Sequence, residues 1–143
     1  MDRKYIENIL PDIDDELFAP FWDGTRQGEL KFPYCTSCKR FHWYPRYRCP
    51  FCGSGTIEWV NSKGKGTIFT WTVVHRPFLE AYENWVPYTV ALIEFDDIPG
   101  VRFVSNIVDA GTECVSIGQT VSAVYYQIND KTFLPMFKPE VGK

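Results

Sequence analysis

Cys35-Thr36-Ser37-Cys38 and Cys49-Pro50-Phe51-Cys52-Gly53 decide how this chain is read. Each Cys-x-x-Cys pair can form a tight turn that aims both sulfurs at one point. Two such turns facing each other make the tetrahedral four-sulfur cage that Zn²⁺ prefers. Pro50 presets the second turn, and Gly53 lets backbone N–H groups approach the sulfurs without a Cβ clash. The first pair carries Lys39 where glycine would be usual. Cys35, Cys38, Cys49 and Cys52 are therefore expected to hold one structural zinc, because four thiolates leave no open position for a reactive water. Iron in a rubredoxin-like cage competes with this reading, since the ligands alone do not separate the two metals. A disulfide framework fits less well, because a fifth cysteine is left over and no export signal is recognisable.

Working outward, the charge is unevenly spread. Residues 1–25 balance at −5, residues 26–63 at +5 and residues 64–143 at −3. A four-thiolate zinc cage carries about −2, so part of the basic excess can serve to neutralise it. Between the cysteine pairs, Arg40 to Arg48 alternates aromatic and basic residues in a short hairpin-like connection. His42 lies there, and with four thiols already in place it reads as an ordinary ribbon histidine.

On the N-terminal side, Leu17, Phe18, Phe21 and Trp22 fall at helical spacing, with Asp12 and Asp14 as candidate N-caps. Pro20 either breaks this segment or starts its second half, and Gly24 or Gly28 should end it. Its aromatic face can pack on its own domain or dock against a partner.

From Gly64 the texture changes to strands separated by turns: Thr67–His75, Tyr88–Phe95, Val101–Val108, Thr120–Gln127 and Thr132–Phe137. Five short strands with glycine at the corners suit a small closed barrel of the OB type, with an SH3-like barrel or a small sandwich as alternatives. The fold class is thus mainly β: a helical segment over 1–29, a zinc ribbon over 30–63 and a five-stranded barrel over 64–143. The connection from Arg76 to Pro87 is longer than a hairpin needs and carries Phe78, Tyr82 and Trp85. In an OB-fold this loop lies at the ligand-binding mouth.

Several chemistries find no pattern here. Gly64-Lys65-Gly66 is too short for a phosphate loop. Neither His42 nor His75 sits in a nucleophile–base pattern, and Cys114, beside Val115, reads as a buried inert thiol. No apolar run approaches the ~20 residues of a membrane span. A cytoplasmic, non-membrane protein is expected.

The ordered set Phe21-Trp22, Gly28-Glu29-Leu30, the two cysteine pairs, Pro45-Arg46, Trp59, Gly64-x-Gly66, Thr70-Trp71-Thr72-Val73-Val74, Pro87-Tyr88-x-Val90-Ala91-Leu92, Asn106-Ile107-Val108-Asp109 and Ile117-Gly118 resembles the domain-of-unknown-function-35 family. That family joins a rubredoxin-like zinc ribbon to an OB-fold. The resemblance implies a non-catalytic subunit that supports a thiolase-like enzyme (an aldolase, thiolase or acyltransferase) acting on acyl-CoA in lipid or steroid metabolism. It also implies contact with CoA or acyl-CoA. Arg40, Arg46, Arg48 and Arg76 are then expected to pair with CoA phosphates, and Phe78, Tyr82 or Trp85 to cover its adenine or pantetheine. Phe18, Phe21, Trp22 and Trp85 are the expected partner contacts. Two other readings compete: a nucleic-acid-binding OB module, disfavoured by the acidic barrel half, and a stand-alone acyl-CoA or lipid carrier.

Overall fold

A computed structural model describes residues 10–140 of the chain. Its elements are helix α1 (Ala19–Arg26) and strands β1 (Leu30–Cys35), β2 (Arg40–Phe41), β3 (Ile57–Ser62), β4 (Lys65–Val74), β5 (Tyr88–Phe95), β6 (Ile98–Ile107), β7 (Thr120–Gln127) and β8 (Phe133–Pro139). Strands β2-β1-β3 form a small antiparallel sheet, and β4-β5-β6-β8-β7 close into a barrel. The molecule is mainly β, with one short α-helix, a zinc-ribbon region and a five-stranded barrel.

Pro20 sits in the first turn of α1, where its missing N–H is no loss. The segment before it is not helical as expected from Asp12 and Asp14. Instead Asp12 Oδ1 accepts from the Asp14 N–H and Asp15 Oδ1 from the Leu17 N–H, so these carboxylates serve local turns. The helix passes through Gly24 and stops at a Schellman turn. The Glu29 N–H donates to the Gly24 carbonyl at 2.8 Å and the Gly28 N–H to the Thr25 carbonyl at 3.1 Å. Gly28 takes φ +72°, which only glycine adopts freely.

Strand β5 alternates strictly between half-buried and buried residues, as one inward face of a barrel demands. Strand β6 begins at Ile98, earlier than Val101. The turn reduces to Asp96-Asp97 because Ile98 is fully buried and draws the chain into the ladder. Asp97 also ties the barrel to the ribbon, accepting from Ser62 Oγ at 2.9 Å and the Lys63 N–H at 2.7 Å.

The barrel is thinly closed where β6 meets β8. Their register holds one parallel pair, Ile107 with Phe137, supplemented by Ser105 Oγ donating to the Pro135 carbonyl at 2.8 Å. Aromatic rings from outside the barrel complete the core beside it. Phe21 of α1, Phe32 of β1 and Trp43 lie 6.0, 5.6 and 5.5 Å from the ring of Phe103 on β6. Phe32 also reaches Phe95 at 5.3 Å. Ribbon, helix and barrel therefore share one hydrophobic core.

Candidate metal centre and surrounding surfaces

The two cysteine pairs form near-identical knuckles. The Lys39 N–H donates to the Cys35 carbonyl at 2.8 Å, and the Gly53 N–H to the Cys49 carbonyl at 2.9 Å. Both donors lie in the left-handed region, Gly53 at φ +76° and Lys39 at φ +60°. Lys39 thus adopts the conformation that glycine would take without strain.

The four sulfurs lie within 4.8 Å of one another. Cys35 and Cys52 are 3.6 Å apart and Cys38 and Cys49 3.5 Å. A disulfide holds sulfurs at about 2.05 Å, so these are free thiols. Zn–S bonds of about 2.3 Å in a tetrahedron require sulfurs about 3.8 Å apart, so four sulfurs with two pairs at 3.5 and 3.6 Å and all within 4.8 Å are placed to fit zinc after small adjustments. Cys35 and Cys49 are buried, Cys38 is half-buried and Cys52 exposed, so a metal held by them would lie near the surface of the ribbon.

Backbone amides favour the thiolate form in part of this set. N–H groups of Cys38 and Ser37 pull the Cys35 thiol below its ordinary value against the cost of burial. Burial pushes Cys49 up, but the Cys52 and Phe51 N–H groups and the neighbouring thiols outweigh it and bring it down to about 7. Cys38 is pushed up to about 12 by burial and by the sulfurs beside it. Hydroxyls that the sequence reading did not single out cross-link the knuckles. Ser37 Oγ bonds Ser54 Oγ at 3.1 Å, Ser54 Oγ lies 2.8 Å from Thr56 Oγ1, and the Thr36 N–H donates to the Thr56 carbonyl at 3.0 Å.

His42 is buried at 5% exposure, and both ring nitrogens lack a hydrogen-bond partner among the described residues. Burial, and then the charge of Arg46, hold it below its ordinary value, so it stays neutral.

The expected surface residues divide. Phe21 is 3% exposed and packs on Trp22, Trp43 and Phe103, so it is core and not a docking residue. The helical periodicity is right, but the face it marks is covered by the molecule's own barrel. Phe18 and Trp22 are half-buried and line a groove of about 260 Å³ with Trp43, Tyr44, Val104 and Leu134. In the β4–β5 connection, Glu80–Tyr82 forms one 3₁₀ turn. Tyr82 packs between Trp85 at 6.2 Å and Tyr88 at 5.9 Å, while Phe78 is 84% and Leu79 53% exposed. Trp85 lines a cavity of about 340 Å³ at the barrel mouth with Tyr88, Ile107 and Met136.

Of the four arginines, Arg40 stacks over Phe51 at 4.8 Å and Arg48 Nη1 donates to the Gly53 carbonyl at 3.3 Å. Arg46 lines a cavity with Glu16, Tyr47 and Trp59, separate from the one lined by Trp85. Arg76 is exposed in the β4–β5 connection. Cys114 is exposed, contrary to the expectation of burial, because it ends a 3₁₀ turn (Thr112–Cys114) and its neighbour Val115 points inward instead. Among the described residues no helix is long and apolar enough to cross a membrane.

Residues 22–58 match the family model described as the rubredoxin-like zinc ribbon domain of ChsH2, and residues 59–125 match its C-terminal OB-fold domain. A probable enoyl-CoA hydratase alpha subunit of Thermomonospora curvata is 33% identical over 122 residues, 85% of this chain. The chain spans only 37% of that relative's length. A DUF35 domain-containing scaffold protein of Methanothermobacter thermautotrophicus is 30% identical over 98 residues, 68% of this chain and 71% of the relative. A chain of the solved Ltp2–ChsH2(DUF35) aldolase superposes with a TM-score of 0.79 at 31% identity, covering 91% of this chain and 98% of that one.

Proposed function

The chain belongs to the DUF35 family, and on that premise we propose that it is a non-catalytic accessory subunit of an acyl-CoA enzyme, specifically a thiolase-like one. The observation that carries this reading is the likeness, over nearly the full length of both chains, to a chain of an aldolase assembly. The metal chemistry agrees. A cage with four thiol ligands offers no coordination position for substrate or water, so zinc here holds the ribbon and does not activate a nucleophile. Removing the metal would remove folding energy.

Contact with the partner is assigned to the half-buried rings of Phe18 and Trp22 and to the exposed loop around Phe78. Exposed apolar groups of this kind mark interaction sites. Contact with CoA belongs to the same proposal and is drawn to the barrel mouth, where Arg76 would meet phosphate and Tyr82 and Trp85 would flank the cavity. Arg40, Arg46 and Arg48 are not gathered into that cavity.

The test is co-expression with a thiolase-like enzyme encoded beside this chain. A stable complex whose acyl-CoA activity collapses when the subunit is left out supports the proposal. Turnover of acyl-CoA by the purified chain alone overturns it.

A further inference from the structure

From Leu30 to Ile57 the chain carries five basic residues and no acidic one. Lys31 is answered by Glu29 at 3.7 Å. The other four, Lys39, Arg40, Arg46 and Arg48, are exposed, and none joins an ion pair among the described residues. They bring +4 to the ribbon: Lys39, Arg40 and Arg48 lie beside the metal knuckles, and Arg46 lines the adjoining cavity with Tyr47 and Glu16. The zinc cage takes back about 2 of that, so a surplus of about +2 remains. Neutralising the metal site therefore does not account for them. The chain as a whole is −3, so everything outside these four residues sums to −3 − 4 = −7. Positive charge is thus concentrated in the ribbon sequence, while the rest of the chain is net acidic.

The ribbon tip is also aromatic. Tyr47 is 70% and Phe51 55% exposed. Phe51 lies between the two ligands of the second knuckle, and Arg40 stacks over its ring. A guanidinium resting over an aromatic face has less freedom to lose when a carboxylate meets its fork. The knuckle turns and their hydroxyl cross-links make the platform rigid. Arginine and tyrosine on a rigid patch form the residue set that anchors protein interfaces.

We infer that the ribbon tip, through Arg40, Arg46, Arg48, Tyr47 and Phe51, docks on an acidic face of a folded protein partner. The partner is the acyl-CoA enzyme insofar as the accessory-subunit reading holds. A long polyanion such as nucleic acid fits less well: it must run on past the tip over surface that is net acidic, whereas a compact acidic patch ends where the positive charge ends. Glu16 shares the Arg46 cavity without forming an ion pair to it, so it flanks the patch on one side and helps set the register of an incoming acidic surface.

The experiment uses the intact, zinc-loaded chain, the double variant Arg40→Glu/Arg46→Glu and the charge-keeping Arg40→Lys/Arg46→Lys. Zinc content and melting temperature are checked to show that all three are folded. The first arm measures association with the co-expressed enzyme as a function of salt. The expected result is a fall in association rate of about tenfold or more for the Glu variant at low salt, a flattened salt dependence, and near-complete retention in the Lys variant. The second arm uses poly-L-glutamate as an acidic probe and needs no enzyme. Binding lost in the Glu variant supports an acid-recognising tip even where no enzyme complex forms, which separates this inference from the accessory-subunit proposal. Unchanged association and unchanged polyglutamate binding in a folded Glu variant overturn it. Tighter binding of an oligo-dT strand than of polyglutamate at physiological salt overturns it in favour of nucleic acid. Displacement of polyglutamate by millimolar CoA overturns it in favour of a ligand site.

Discussion

Replacing Phe32 with alanine should uncouple the ribbon from the barrel. Phe32 is fully buried. Its ring lies 5.4 Å from Trp43 on the ribbon side and 5.3 and 5.6 Å from Phe95 and Phe103 on the barrel side. Phe→Ala in a packed core costs about 3–5 kcal/mol. Three edge-on or tilted ring partners, each worth about 0.5–1.5 kcal/mol beyond buried area, place this site in the upper half of that range, at about 4 kcal/mol. A chain of this length has a total stability of about 7–20 kcal/mol, so the loss is a large share of it. With a urea slope of about 2 kcal/mol/M, the midpoint should fall by about 2 M. The assay follows urea unfolding by tryptophan fluorescence for the shared core and by a chromogenic chelator for zinc release. In the wild type the two signals should coincide. In Phe32→Ala they should separate, because the ribbon keeps its metal after losing its hold on β5 and β6. Val104→Ala, at a 49%-exposed position on β6, is the control and should stay within about 0.5 kcal/mol. A Phe32→Ala midpoint within about 0.5 M of wild type with coincident signals would refute the shared-core argument.

Three further outcomes are expected. Cys38→Ser should abolish zinc binding, read as metal per chain by mass spectrometry, and melt the ribbon, because a three-thiolate cage is incomplete. Lys39→Gly should stabilise the protein by about 0.5–1 kcal/mol: relief of the left-handed strain, about 1–2 kcal/mol, outweighs the extra chain entropy of glycine. A melting temperature that falls would show that the Lys39 side chain matters more than its backbone. His42 gives a pH dependence. The unfolded chain binds a proton near the ordinary value of 6.5 and the folded chain only at lower pH, so stability should fall as pH drops through the window below 6.5. His42→Phe should lose that part of the acid-side slope and gain about 1–3 kcal/mol from removing two orphaned ring nitrogens, and an unchanged slope would rule out His42 as its source.

Sequence alone reaches furthest where local pattern and burial coincide. Strands β5 and β7 begin and end where runs rich in β-branched and aromatic residues begin and end, and in β5 the alternation of buried and half-buried positions follows from facing the core on one side only. The metal ligands were legible because their geometry is written in a spacing of four residues, independent of distant contacts. Phe21 shows the limit. Its helical spacing announces an apolar face, yet whether that face meets its own barrel or another protein is decided by Phe103, more than 80 positions away. The early start of β6 had the same cause, since the pull on Ile98 comes from the core and not from the turn residues around it. The Ser37, Ser54 and Thr56 cross-links lay out of reach for another reason: hydroxyl residues near a knuckle look like loop filler until the two turns are set face to face.

The weak join between β6 and β8 gives the ribbon a role beyond holding metal. A barrel with a single ladder pair at one seam exposes the interior aromatic Phe103 to whatever covers that side. Here the cover is Phe21, Phe32 and Trp43, and two of those three rings are carried by the metal-organised segment. A zinc held by the four cysteines would therefore act on the barrel at a distance, through the placement of Phe32 and Trp43 and not through any ligand bond to it. The groove lined by Phe18 and Trp22 lies along the same seam, with Trp43 in its wall. A partner seated in that groove would touch helix, ribbon and barrel at once. Its affinity should then depend on zinc even though no zinc ligand lies in the contact.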